Sequence, residues 1–176
     1  MNKKWIACCS VMALVCLALV TSGCKGSEES PFQAMGRLLR SEGCKSFPQG
    51  ATVSLAVASD QDCLEYRCDG STLRMKHINA CFNCCPGEIG ADIRVDGWVI
   101  TIQESEATAL CFCLCLFDLE MEIENLPPGQ YSIQVVNPYV DSGDEPLAFT
   151  AQLAPGASGR FCVERDKYPW YVPSNE

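Results

Sequence analysis

Two triplets of cysteine dominate the chemistry available to this chain. Cys81, Cys84 and Cys85 lie in NACFNCCPG, and Cys111, Cys113 and Cys115 lie in LCFCLCLF. Thiols pair as disulfides, hold soft metals as thiolates, or exchange electrons, and the three uses ask for different surroundings. The second triplet opens an alternating stretch, CFCLCLFDLEMEIE, from Cys111 to Glu124. A period of two is that of a β-strand, whose successive side chains leave opposite faces. One face carries Cys111, Cys113, Cys115, Phe117, Leu119, Met121 and Ile123, which makes it the core side. The other ends in Asp118, Glu120, Glu122 and Glu124, which reads as a solvated acidic face rather than a calcium or glycosidase site.

Geometry restricts the pairing of these sulfurs. Residues two apart on a strand are ~6.6 Å apart along it, whereas a disulfide needs Cβ atoms at ~3.8 Å. Cys111, Cys113 and Cys115 therefore need partners from elsewhere, and Cys81, Cys84 and Cys85 supply three. Three bridges between the triplets are the expectation, each contributing ~2–4 kcal/mol by restricting the unfolded chain. Cys44, Cys63, Cys68 and Cys162 remain as peripheral disulfide candidates. The alternative use of the central six is a zinc or copper site, since Cys81 and Cys84 form a CxxC. The second cluster is not another CxxC, so the zinc-ribbon spacing is not met. No βαβ pattern accompanies the CxxC, which argues against a redox enzyme.

Other reactive residues are few. His77 is the single histidine of the chain. On a strand it would sit roughly 13 Å from Cys81, so it reads as an ordinary strand residue. Asp141-Ser-Gly-Asp-Glu145 lacks the ligand spacing of a calcium loop and reads as an acidic turn. Tyr168-Pro-Trp-Tyr171 reads as a tail covering an edge of the fold. No Ser/His/Asp set, phosphate loop or cofactor fingerprint is present. The expectation is that the chain is not an enzyme and carries no cofactor.

The elements that position these residues are strands. Thr52–Ala58, Cys63–Arg67, Thr72–Phe82, Asp92–Val95, Trp98–Ile102, Gln130–Val136, Leu147–Leu153 and Gly159–Arg165 alternate or are rich in β-branched residues. Asp96-Gly97 is a hairpin signal. Pro127 and Pro128 stop the strand that precedes them. One short helix is expected over 32–40, from the spacing of Phe32, Met35, Leu38 and Leu39. Short strands with Gly/Pro turns predict an all-β, cysteine-rich, antiparallel immunoglobulin-like sandwich over residues 44–176. The NLPPGQYSIQV segment is similar to a hairpin recurring in immunoglobulin-like and prealbumin-like sandwiches.

The N-terminus predicts export. Lys3 and Lys4 precede an apolar run from Trp5 to Val20, then Thr21-Ser22-Gly23 and Cys24. This is the layout of a secretory signal over residues 1–23. Cys8, Cys9 and Cys16 are small hydrophobes within it. Gly23-Cys24 resembles the lipobox of bacterial lipoproteins, although Thr21 stands where that box has Leu. The resemblance implies cleavage before Cys24, a diacylglycerol on its sulfur and an N-terminal acyl chain such as palmitate. Residues 24–43 then form the lipidated N-terminus and tether, with KGSEES as its flexible part. An exported chain sits where disulfides persist. Loss of Lys3 and Lys4 takes the net charge from −9 to −11, which excludes a phosphate-backbone partner.

From Leu73 to Val136 the order HINACFNCCPGEI, CFCLCLFDLEMEI, NLPPGQY resembles a family of uncharacterised bacterial lipoproteins. These have an NCC segment, a CxCxC-like strand and an LPPGxY turn. The resemblance implies a compartment and a sandwich, not a mechanism. The expected protein is lipid-anchored in the bacterial cell envelope, facing the periplasm or the exterior. Its role is structural or binding, its first partner is the membrane, and any further partner is an envelope protein or a glycan.

Overall fold

The structure is a computed structural model describing residues 33–45 and 57–170. The expected signal segment over residues 1–23, the expected lipidation site Cys24, the expected KGSEES tether and all but the last two residues of the expected Thr52–Ala58 strand lie outside the described residues. Nine strands are described: β1 (Met35–Glu42), β2 (Gln61–Asp69), β3 (Thr72–Asn83), β4 (Ile89–Asp96), β5 (Val99–Glu106), β6 (Leu114–Glu124), β7 (Gly129–Val136), β8 (Ala148–Leu153) and β9 (Ser158–Glu164). They form a five-stranded sheet in the order β1-β6-β3-β2-β9 and a four-stranded sheet in the order β4-β5-β7-β8. The described residues contain no helix.

Alternation builds the core. Leu73 and Met75 of β3 and Phe117, Leu119, Met121 and Ile123 of β6 point inward from one sheet. They join Ile100 and Ile102 of β5 and Tyr131, Ile133 and Val135 of β7 from the other, in one buried cluster. Two tight turns are set by glycine. Gly97 (φ +57°) turns β4 into β5, and Gly70 (φ +64°) turns β2 into β3. A positive φ is inexpensive only for a residue without a Cβ.

Three expectations change. The helix expected over residues 32–40 is replaced by β1, which also removes residues 35–42 from the tether. β1 lies along β6, with Arg37 paired to Glu122 and Glu124 and Arg40 paired to Glu120. The ladder and this charge complement outweigh a local helical spacing already weakened by Gly36. Gly36 also lets β1 approach the second sheet, since a Cβ there would fall 2.5 Å from Ile93.

The second change is that the sandwich is not wholly antiparallel. β5 and β7 run parallel, Val99 facing Ser132 and Gln103 facing Val136. The chain leaves β5, runs β6 in the other sheet and returns as β7, so direction reverses twice. Asn125 to Pro128 therefore carries the chain between sheets and does not close a hairpin. The third change is that the strand begins at Leu114, not Cys111. The Asn83 side chain donates to Cys111 O (2.6 Å) and accepts from Cys111 N (3.1 Å), so those backbone groups are not available to a ladder.

The acidic face of β6 is paired rather than merely solvated. Lys45 and Lys76 flank Asp118, Arg40 bridges Glu120 and Glu42, and Arg37 bridges Glu122 and Glu124. Asp118 is half-buried; burial would raise its carboxyl pKa, but the two lysines more than reverse this and hold it below the usual value.

Candidate functional site

Four disulfides are formed among the described residues: Cys44–Cys115, Cys63–Cys162, Cys84–Cys113 and Cys85–Cys111. Two of the three bridges expected between the triplets are present. The third is not: Cys115 pairs with Cys44, and Cys81 is a buried free thiol. A β-bulge causes the difference. The register of β3 on β6 shifts between Ile78 and Ala80, and Asn79 takes φ +67°. Leu73, Met75 and His77 point inward before the bulge, Ala80 and Phe82 after it. Cys81 is thereby turned to the opposite face from Phe82, against Leu116 and Trp170. Burial there raises its pKa, and the neighbouring Glu106 and Asp62 carboxylates add to the rise, so the thiol is inert.

The bulge is held by its own side chain. Asn79 Nδ2 donates to Ala58 O (2.8 Å) and Gln61 O (2.6 Å), and Asn79 Oδ1 accepts from Lys45 Nζ (2.8 Å). Asn79 O accepts from the Trp170 indole at 2.8 Å. Trp170 is the buried part of the aromatic tail, as its covering role requires. Tyr168 is exposed with its hydroxyl donating to Leu114 O, and Tyr171 lies outside the described residues.

Of the peripheral cysteines, Cys63 and Cys162 face each other directly on β2 and β9, with Cα atoms 4.1 Å apart. Cys68 is free and buried in the core, and its burial raises its pKa. The sulfurs gather at one corner. Cys44, Cys84 and Cys115 have their Sγ atoms all within 4.8 Å of one another, and Cys115 Sγ is 3.1 Å from Cys84 Sγ. Cys81, Cys85, Cys111 and Cys113 are not in that group of three, so the six-sulfur set expected for a metal is not the one brought together.

His77 is not an ordinary strand residue. It is 1% exposed, and both ring nitrogens meet carboxylates: Nδ1 is 2.6 Å from Glu104 of β5 and Nε2 is 2.6 Å from Asp62 of β2. Arg165 donates to Asp62 Oδ2 through Nε (3.0 Å) and Nη2 (2.7 Å). Asn137 donates to Glu104 Oε2 at 2.8 Å. Burial alone would lower the imidazole pKa, but Glu104 and Asp62 carry it up to about 10. Both nitrogens therefore hold protons and donate. Burial likewise raises Asp62, but His77 and Arg165 together leave it below the usual carboxylate range. Two cations and two anions form a closed, hydrogen-bonded set, the condition under which buried charge is tolerated.

Sequence reasoning missed Asp62, Glu104 and Arg165. A signal was present. Glu104 follows Ile100 and Ile102 in the inward phase of β5, and Asp62 precedes Leu64 in the inward phase of β2. A charge in a core phase asks for a counter-charge.

The remaining acidic motif behaves as a turn: Lys167 binds Asp141 at 3.3 Å and Asp144 at 2.6 Å. An open groove of about 380 Å3 crosses the larger sheet beside Leu39, Tyr66, Arg67, Arg74, Lys76 and Glu120. It holds no histidine and no cysteine. No family model, curated protein or solved structure matches the chain.

Proposed function

We propose that this chain is a lipid-anchored protein of the bacterial cell envelope, attached through Cys24, whose disulfide-stapled sandwich is a structural or binding module and not an enzyme. The observation that carries the reading is the set of four disulfides, which belongs to an oxidising compartment. The apolar run and Gly23-Cys24 supply the route there. The single histidine is consumed by Asp62 and Glu104 inside the fold, which leaves it no proton to trade with a substrate. Membership of the NCC, CxCxC and LPPGxY lipoprotein group is part of the same proposal.

The immunoglobulin-like character of the sandwich also belongs here. It is supported by the Tyr131 hydroxyl, which donates to Pro127 O at 2.9 Å where the chain passes between sheets, as in a tyrosine corner. Partners on this reading are the membrane and an envelope protein or glycan, and the open groove on the larger sheet is where a ligand would lie. The test is labelling with radioactive palmitate in a bacterial host. The wild-type chain is expected to incorporate label and fractionate with the envelope, and Cys24→Ser to lose the label and release the body. An unlabelled wild-type chain with soluble, reduced protein inside the cell contradicts the proposal.

The second reading is a zinc or copper site. The proximity of Cys44, Cys84 and Cys115 favours it, because three thiolates at that spacing suit a soft ion such as Cu(I). It requires both bridges at that corner to be reduced.

A further inference from the structure

The close approach of two bridges at one corner goes beyond stapling. We propose that Cys44–Cys115 and Cys84–Cys113 form a thiol–disulfide exchange couple, entered at Cys44 by a low-molecular-weight thiol. Cys44 is exposed, whereas Cys84 and Cys115 are half-buried, so an external thiolate meets Cys44 first. Cys44 also sits at φ +45°, a left-handed conformation that is strained for a residue bearing a Cβ. The Cys115 bridge and the hydrogen bond from Lys45 N to Leu116 O (3.0 Å) hold it there.

The steps follow from the positions of the sulfurs. The external thiolate attacks Cys44 Sγ and forms a mixed disulfide with it. The Cys44–Cys115 bond breaks and its electron pair stays on Cys115 Sγ. That thiolate lies 3.1 Å from Cys84 Sγ, in contact with its next target. It attacks Cys84, a Cys84–Cys115 bond forms, and the Cys84–Cys113 bond breaks. The electron pair leaves on Cys113 Sγ, which takes up a proton from solvent. One thiol has entered at Cys44 and one thiol has appeared at Cys113, so the count of disulfides is unchanged. Cys84 is kept in place during the transfer, because its amide donates to Cys113 O at 3.0 Å and Cys85 remains bridged to Cys111. The corner thus passes a reducing equivalent from the exposed Cys44 to Cys113, where a staple alone would simply open.

The test uses the mature, oxidised protein. It is exposed to 2-mercaptoethanol at pH 8, quenched in acid, blocked with N-ethylmaleimide and mapped without reduction. The expected product carries mercaptoethanol on Cys44, maleimide on Cys113 and a Cys84–Cys115 bridge. A Cys84–Cys115 bridge accompanied by Cys44–Cys113 counts the same way, because it needs the same attack. In Cys84→Ser/Cys113→Ser, which lacks the acceptor, the maleimide is expected on Cys115 instead. Maleimide on Cys115 of the wild-type chain with Cys84–Cys113 intact overturns the proposal, and so does a wild-type chain in which no Cys84–Cys115 bridge forms.

Discussion

His77 Nδ1 on β3 and Glu104 Oε1 on β5 meet at 2.6 Å across the interior, so a charged hydrogen bond joins the two sheets. Asp62 meets the other nitrogen from within the same sheet as His77, and Arg165 closes the set from the segment after β9. The geometry makes His77 a fixed cation. Since the chain has one histidine, a tag-free sample gives one imidazole signal. Its NMR shifts are expected to be those of imidazolium at pH 8 and to change only near pH 10. Titration near the unperturbed value of about 6.5 contradicts this assignment.

Stability should follow the same proton. The folded pKa of His77 lies above the unfolded one, so its contribution is complete below about pH 6.5 and is lost as the pH rises towards 10. The loss is on the order of a few kcal/mol. Asp62 acts at the other end: its folded pKa is depressed, so its contribution is present at neutral pH and is lost as acid protonates it. Urea midpoints of the disulfide-intact protein are expected to fall from pH 6.5 to pH 9.5. A flat profile over that range would mean that the network is not charged as described.

Trp170 covers Cys81 and Leu116 and donates its indole proton to Asn79 O. Trp170→Ala is expected to cost about 3–5 kcal/mol, as for a large buried aromatic. It should also open Cys81 to an aromatic disulfide reagent, taking the reactive thiols of the folded mature protein from none to one. An unchanged count would place the Cys81 thiol under some other cover.

The Cys63–Cys162 bridge joins neighbouring strands but spans a sequence separation of 99 residues. The double variant Cys63→Ala/Cys162→Ala should lose about 2–5 kcal/mol in denaturant unfolding, through a less restricted unfolded chain. A loss below about 1 kcal/mol would show that the other bridges already confine that loop.

Local pattern made much of this fold legible. Period-two alternation gave β3, β6 and β7 nearly to their ends, and Asp96-Gly97 marked a real turn. What was hidden depends on residues far apart in the chain. β1 is a strand because Arg37 and Arg40 find the acids of β6 about 80 residues away, while its own spacing fits a helix. The parallel pairing of β5 and β7 depends on β6 entering the other sheet. Cys81 was matched to the wrong partners because the bulge at Asn79 inverts the faces of β3 beyond it. The bulge is fixed by Ala58, Gln61 and Lys45, none of them adjacent to it in sequence.

The central claim is that sulfurs lock to one another in this β-sandwich, which we propose to be exported. Its most direct test is a non-reducing peptide map, with elemental analysis, of protein exported by its own signal. The predicted result is Cys44–Cys115, Cys63–Cys162, Cys84–Cys113 and Cys85–Cys111, with Cys68 and Cys81 as thiols and no stoichiometric zinc or copper. Free thiols at Cys44, Cys84 and Cys115 together with a bound metal would contradict it.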